Sequence, residues 1–188
     1  MIYPLTASAN AEAVLFFWFH ELKPHQWWRR DGGLDSEIAK RFGPLHEAAD
    51  CGRLDVWSAA PRTALARIIV LDQFSRNIHR DTPRAFAQDD AARRAAQNAL
   101  LRRFDMMFGQ KERAFFYMPF MHSENLSAQE TSLRLFKARL PQTQNVRHAL
   151  IHHNIIKRFG RFPHRNAILG RQSTPRERSY LESGGFNP

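Results

Sequence analysis

Three short stretches of this 188-residue chain set titratable side chains among apolar neighbours, and chemistry would have to be built from them. In Leu71-Asp72-Gln73-Phe74-Ser75-Arg76-Asn77 an acid directly follows the aliphatic run Ile68-Ile69-Val70-Leu71. Asp72 and Arg76 stand four residues apart, so a helix puts them on one face, where they can pair. They are either an ion pair that fixes this helix against its neighbours, or a ligand-facing site whose carboxylate pKa is raised by burial.

The second stretch, Tyr117-Met118-Pro119-Phe120-Met121-His122-Ser123-Glu124-Asn125, gives an imidazole, a hydroxyl and a carboxylate in a row. His122 titrates near neutral pH and a carboxylate can orient it, which suits acid–base work. Adjacent residues do not face one another on a helix or strand, so these three alone do not make a nucleophilic triad on Ser123. The plainer reading is that they satisfy backbone groups at a corner between helices.

The third stretch is the densest: His152-His153, then Arg158-Phe159-Gly160-Arg161-Phe162-Pro163-His164-Arg165-Asn166, then Gly170-Arg171. His148 and His152 have the spacing of a helical metal pair, but no further ligand signature accompanies them, and a core histidine on the face of Ala149, Ile156 and Phe159 is the simpler reading. No metal or cofactor is expected. Arg161, Arg165 and Arg171 could hold an anion, since guanidinium forks bind carboxylate or phosphate through paired bonds. They could equally tie helix ends together through backbone carbonyls.

These stretches have to be held in place by helices, because helix signals recur along the chain and period-2 strand patterns do not. The expected helices are Ala9–Glu21, one from about Asp35 to a stop at Gly52, Pro61–Asn77, Asp89–Leu101, Gln110–Tyr117 ending near Pro119, one capped by Ser127-Ala128-Gln129-Glu130, Gln144–Phe159, and one opened by Thr174-Pro175-Arg176-Glu177. The second should carry Ile38, Phe42, Leu45 and Ala49 inward, and the fourth an alanine stripe for close helix packing. Trp27, Trp28 and Trp57 are expected in the core.

The length suits one helical domain over residues 1–188, or two closely packed helical lobes. The single cysteine, Cys51, excludes an internal disulfide and a zinc finger. No basic leader or apolar span is read near the start, so the expected location is the cytoplasm, with no membrane partner. The net charge of +10 invites nucleic acid, but the basic residues are scattered rather than gathered with stacking aromatics, so nucleic-acid binding is not expected. The oligomeric state cannot be read from the sequence.

The three stretches, with the continuation Ile168-Leu169-Gly170-Arg171-Gln172-Ser173-Thr174, resemble the bacterial "domain of unknown function 924" family, and the likeness runs from Phe17-Trp18-Phe19 to Gly184-Gly185. The resemblance implies an all-α fold of stacked antiparallel helical hairpins, a superhelix similar to tetratricopeptide repeats, and implies no established activity. Two residues after His152 the family favours an acid, where this chain has Asn154, so a catalytic or metal-binding acid is not expected there. The leading expectation is a binding protein whose polar groove holds an anionic small molecule or an acidic peptide. Asp72, Arg76, His122 and Glu124 would form one part of its wall, and His152, Arg161, His164 and Arg165 the rest. The alternatives are a hydrolase in which His122 or His164 is the general base, oriented by Glu124 or Asp72, and a purely structural protein.

Overall fold

A chain patterned for helices and short turns forms nothing else: the computed structural model describes residues 7–186, and no strand occurs among them. The helices are α1 (Ala7–Phe16), α2 (Gly32–Asp50), α3 (Pro61–Ile69), α4 (Ser75–Ile78), α5 (Asp89–Leu101), α6 (Gln110–Met121), α7 (Leu126–Arg139), α8 (Asn145–Phe159) and α9 (Pro175–Glu182). The fold is all-α. None of these helices is long and apolar enough to cross a membrane.

Two compact units divide the chain. One takes residues up to Arg80 together with Arg84–Pro119, the other Asp81–Pro83 together with residues from Phe120 onward. In the first, α1 packs on α3, α3 on α5, and α2 on α4, so the packed partners are not consecutive helices. At its centre, α3, a π-helical turn over Val70–Phe74 and α4 form one helical path. Every residue from Ile68 to Ser75 is buried, as expected of a helix surrounded on all sides. A second π-helical turn, Phe17–Glu21, extends α1 and buries Phe17, Trp18 and Phe19 in succession. Their rings meet Phe42, Phe74 and Phe115, with Phe42 and Phe74 only 4.9 Å apart between centroids. Ala92, Ala95, Ala96 and Ala99 are buried on α5 and let it approach α3 closely.

In the second unit the consecutive helices α7 and α8 pack together as a helical hairpin. Ile155, Ile156 and Phe162 form a core with Ile151, Phe159, Tyr180 and Phe186 around it. Gly160, at φ 71°, takes the left-handed conformation that ends α8 and turns the chain toward Phe162.

Several boundaries differ from the expectations, each for a local reason. Helix α2 starts at Gly32, before Asp35, because the Asp31 carboxylate accepts from the Gly33 and Leu34 amides. Its buried face is Leu34, Ile38, Phe42, His46 and Ala49, and Leu45 is only half-buried. Helix α7 is capped by Asn125, which accepts from the Ala128 amide at 3.0 Å, and not by Ser127. Helix α6 continues through Pro119 to Met121, one backbone donor poorer. The Thr174–Glu177 capping box opens α9 as expected. Trp57 is in the core, but Trp27 is half-buried and Trp28 is 57% exposed.

Candidate functional site

Three of the histidines singled out in the sequence gather in the second unit around Phe162. His152 comes from α8, His122 from the turn after α6, and His164 from the short turn that follows Phe162. The His122 and His152 rings lie 6.3 Å apart, and the His152 and His164 rings stand 5.4 and 5.5 Å from Phe162. Phe186 closes on His152 at 4.6 Å and on His164 at 5.6 Å. Arg165 joins them: its guanidinium stacks on Phe162 at 4.6 Å, and Nη2 donates to the His122 carbonyl at 2.9 Å. The arginine is buried despite its charge.

The protonation of His152 follows from its neighbours. Its Nδ1 lies 2.8 Å from the His148 carbonyl, an acceptor only, so Nδ1 carries the hydrogen. Burial first, then the nearby His122, push its pKa down to about 3, against the opposing pull of that carbonyl. The ring is therefore neutral at neutral pH and presents a lone pair at Nε2. His148 itself is exposed and supplies its backbone to this ring, so the expected core histidine with one hydrogen bond is what forms.

Glu124 does not orient an imidazole. Its Oε1 accepts from the Phe162 amide at 2.8 Å, and Arg171 grips both oxygens at 2.7 and 2.9 Å. Burial alone would raise its pKa, but Arg171 and the Phe162 amide outweigh that and hold it below the usual carboxylate value. Arg171 also donates to Asn166 Oδ1 and the Phe162 carbonyl. Arg161 is likewise engaged: it forks onto Glu177 at 2.6 and 2.8 Å and reaches the Gln172 carbonyl. Arg161 and the Thr174 amide hold the Glu177 pKa down to about 2. Arg161 and Arg171 thus brace the loop that carries Phe162, His164 and Arg165. Asn154 is exposed and accepts at most a long contact from His153.

Asp72 and Arg76 belong to the first unit. They pair at 3.3 Å as their spacing predicts, and Arg76 also reaches Asp89 at 2.8 Å. Burial works against the guanidinium charge, but Asp89 and Asp72 outweigh it and raise the pKa. Gln73 Nε2 donates to Asp72 at 2.5 Å. This favours the ion-pair reading of the cluster.

A further polar group in the first unit was not found from sequence. His46 Nε2 lies 2.7 Å from Ser75 Oγ, and His46 Nδ1 lies 3.7 Å from Asp50. The set has the order of a nucleophilic triad, but Ser75 is fully buried and donates to the Leu71 carbonyl at 2.6 Å, so no substrate reaches it. Burial lowers the His46 and His79 pKa values. The signal was available: His46 sits on the Ile38, Phe42, Ala49 stripe at a position where the pattern asks for an apolar side chain.

An all-α fold with these three stretches so arranged belongs to a defined family: residues 14–185 match the bacterial proteins of unknown function grouped as DUF924, and the chain is a member of that family. Among solved structures it is similar to a protein of unknown function from Agrobacterium tumefaciens, at 38% identity and a TM-score of 0.90, over 95% of this chain and 99% of that one. No curated protein matches the chain.

Proposed function

We propose that the protein binds a small anionic molecule at the cluster of His122, His152, His164 and Arg165. One observation carries this reading: the buried guanidinium of Arg165 and the imidazoles of His152 and His164 stand against Phe162, with the His122 ring 6.3 Å from that of His152. Arg165 supplies the fixed positive charge and imidazole rings can donate through N–H, so the set suits an anionic oxygen. The neutral His152, with its lone pair at Nε2, adds a requirement, because it accepts a hydrogen bond and gives none there. The ligand therefore carries a hydrogen to donate as well as an anionic oxygen, as a monoprotonated phosphate or a hydroxycarboxylate does. Hydrolysis is the weaker reading, since a general base needs an orienting carboxylate and Glu124 is committed to Arg171.

Nitrogen-15 NMR of the histidine rings tests the proposal, with inorganic phosphate and lactate as probes. We expect a saturable shift of His152 Nε2 with at least one of them. His164→Gln, checked for an unchanged unfolding midpoint, should weaken the effect about tenfold, equivalent to ~1.4 kcal/mol. An Nε2 signal indifferent to both probes would sink the proposal.

A further inference from the structure

The first unit holds a polar cleft of about 340 Å³, lined by the last turn of α2, the turn after it, α3 and one face of α5. Small side chains make the space: Ala49 on α2, and Ala91 and Ala95 on α5. Gln88, the residue before α5, lines the same space, and Ala91, Arg94 and Asn98 follow it at the three- and four-residue steps that align side chains along a helix.

The charges lining the cleft are mostly cancelled within the protein. Asp50 pairs with Arg84 at 3.3 Å, and Asp55 pairs with Arg67, which Ser58 also holds by its hydroxyl at 2.6 Å. Arg94 makes no ion pair or hydrogen bond with a described residue. The uncompensated charge in the cleft is therefore one guanidinium, with a side-chain amide on either side of it along the helix.

We infer that this cleft binds a small molecule through an oxyanion, a carboxylate or a phosphate group. Arg94 is the charged contact, and Gln88 and Asn98 are the neutral donors. A guanidinium fork matches either group through two parallel bonds. At ~30 Å³ for each water displaced, the cleft has room for a ligand of about ten heavy atoms. This site is independent of the histidine cluster and shares no residue with it.

A solvated arginine on a helix would also attract anions weakly, and the space itself separates the two cases. Calorimetric titration with inorganic phosphate and with acetate, at constant ionic strength, should show saturable binding of at least one, and which one names the group recognised. Arg94→Ala should weaken it tenfold or more. Ala91→Leu, which fills the cleft and keeps the charge, should do the same, whereas Arg176→Ala, an exposed arginine elsewhere, should leave it unchanged. Should Ala91→Leu lower the unfolding midpoint, Asn98→Ala at an exposed position carries the same expectation. Three results overturn the inference: saturation by neither probe, equal losses in Arg94→Ala and Arg176→Ala, or full binding in both cleft variants. The His152→Gln variant keeps this binding, so failure here and failure of the histidine site are told apart.

Discussion

His152 makes the protein sensitive to acid. Its pKa is about 3 in the folded chain against an ordinary 6.5, so the unfolded chain takes up a proton that the native one refuses. Stability is therefore full above about pH 6.5 and falls as the pH drops toward 3, by up to ~1.4 kcal/mol per pH unit from this group. His46 and His79, also lowered, act in the same direction. Glu177, held near 2 against an ordinary 4.5, adds its own loss below about pH 4.5. Urea unfolding of His152→Gln between pH 4.5 and 6.5 should show a shallower slope than wild type, and an unchanged slope would contradict the buried, neutral ring. Glu124→Gln should cost about 2 kcal/mol at pH 7, since a charged hydrogen-bonded partner of Arg171 is lost, and chemical denaturation measures it. Much of this was legible in the chain: the i, i+4 spacing of Asp72 and Arg76 gave their pairing, and His152 on an apolar face gave its burial. The partner of Glu124 was not legible, because Arg171 lies 47 residues away and only the turn at Gly160 brings its loop back.

Among the helices, the start of α7 separates two readings of the same letters. The string Ser127-Ala128-Gln129-Glu130 fits a capping box, yet Asn125 takes the role because its side chain reaches the Ala128 amide. Asn125→Ala should cost about 1 kcal/mol and Ser127→Ala a few tenths, as read from thermal unfolding. In the first unit Phe74 joins the rings of Phe17, Trp18 and Phe42, so Phe74→Ala should cost about 3–5 kcal/mol. The helices themselves were readable from periodicity, capping residues and prolines. The π-helical turns were not, because buried aromatics and aliphatics in succession satisfy several helical registers equally, and packing from all sides selects the wide one.

At the level of the entire chain, the charge of +10 makes anions its natural company. Phosphate should raise the unfolding temperature more than chloride at equal ionic strength, and ligand linkage puts the gain at ~2.7 kcal/mol when phosphate stands a hundredfold above its dissociation constant. The part of that gain lost in Arg94→Ala and His164→Gln is site binding; the part that remains is the general salting effect. The helical path from Pro61 to Ile78 has a further consequence, best put as one of phase. The wide turn at Val70–Phe74 slips the helix out of step with itself, so Leu65 and Ile68 upstream and Ser75 and Arg76 downstream face directions that a uniform helix could not offer together. Removing a single residue from that turn would leave every side chain chemically intact and rotate the downstream set by about 100°. Arg76 would then swing away from Asp89 and Ser75 from His46, so the first unit depends on an offset that no single side chain carries.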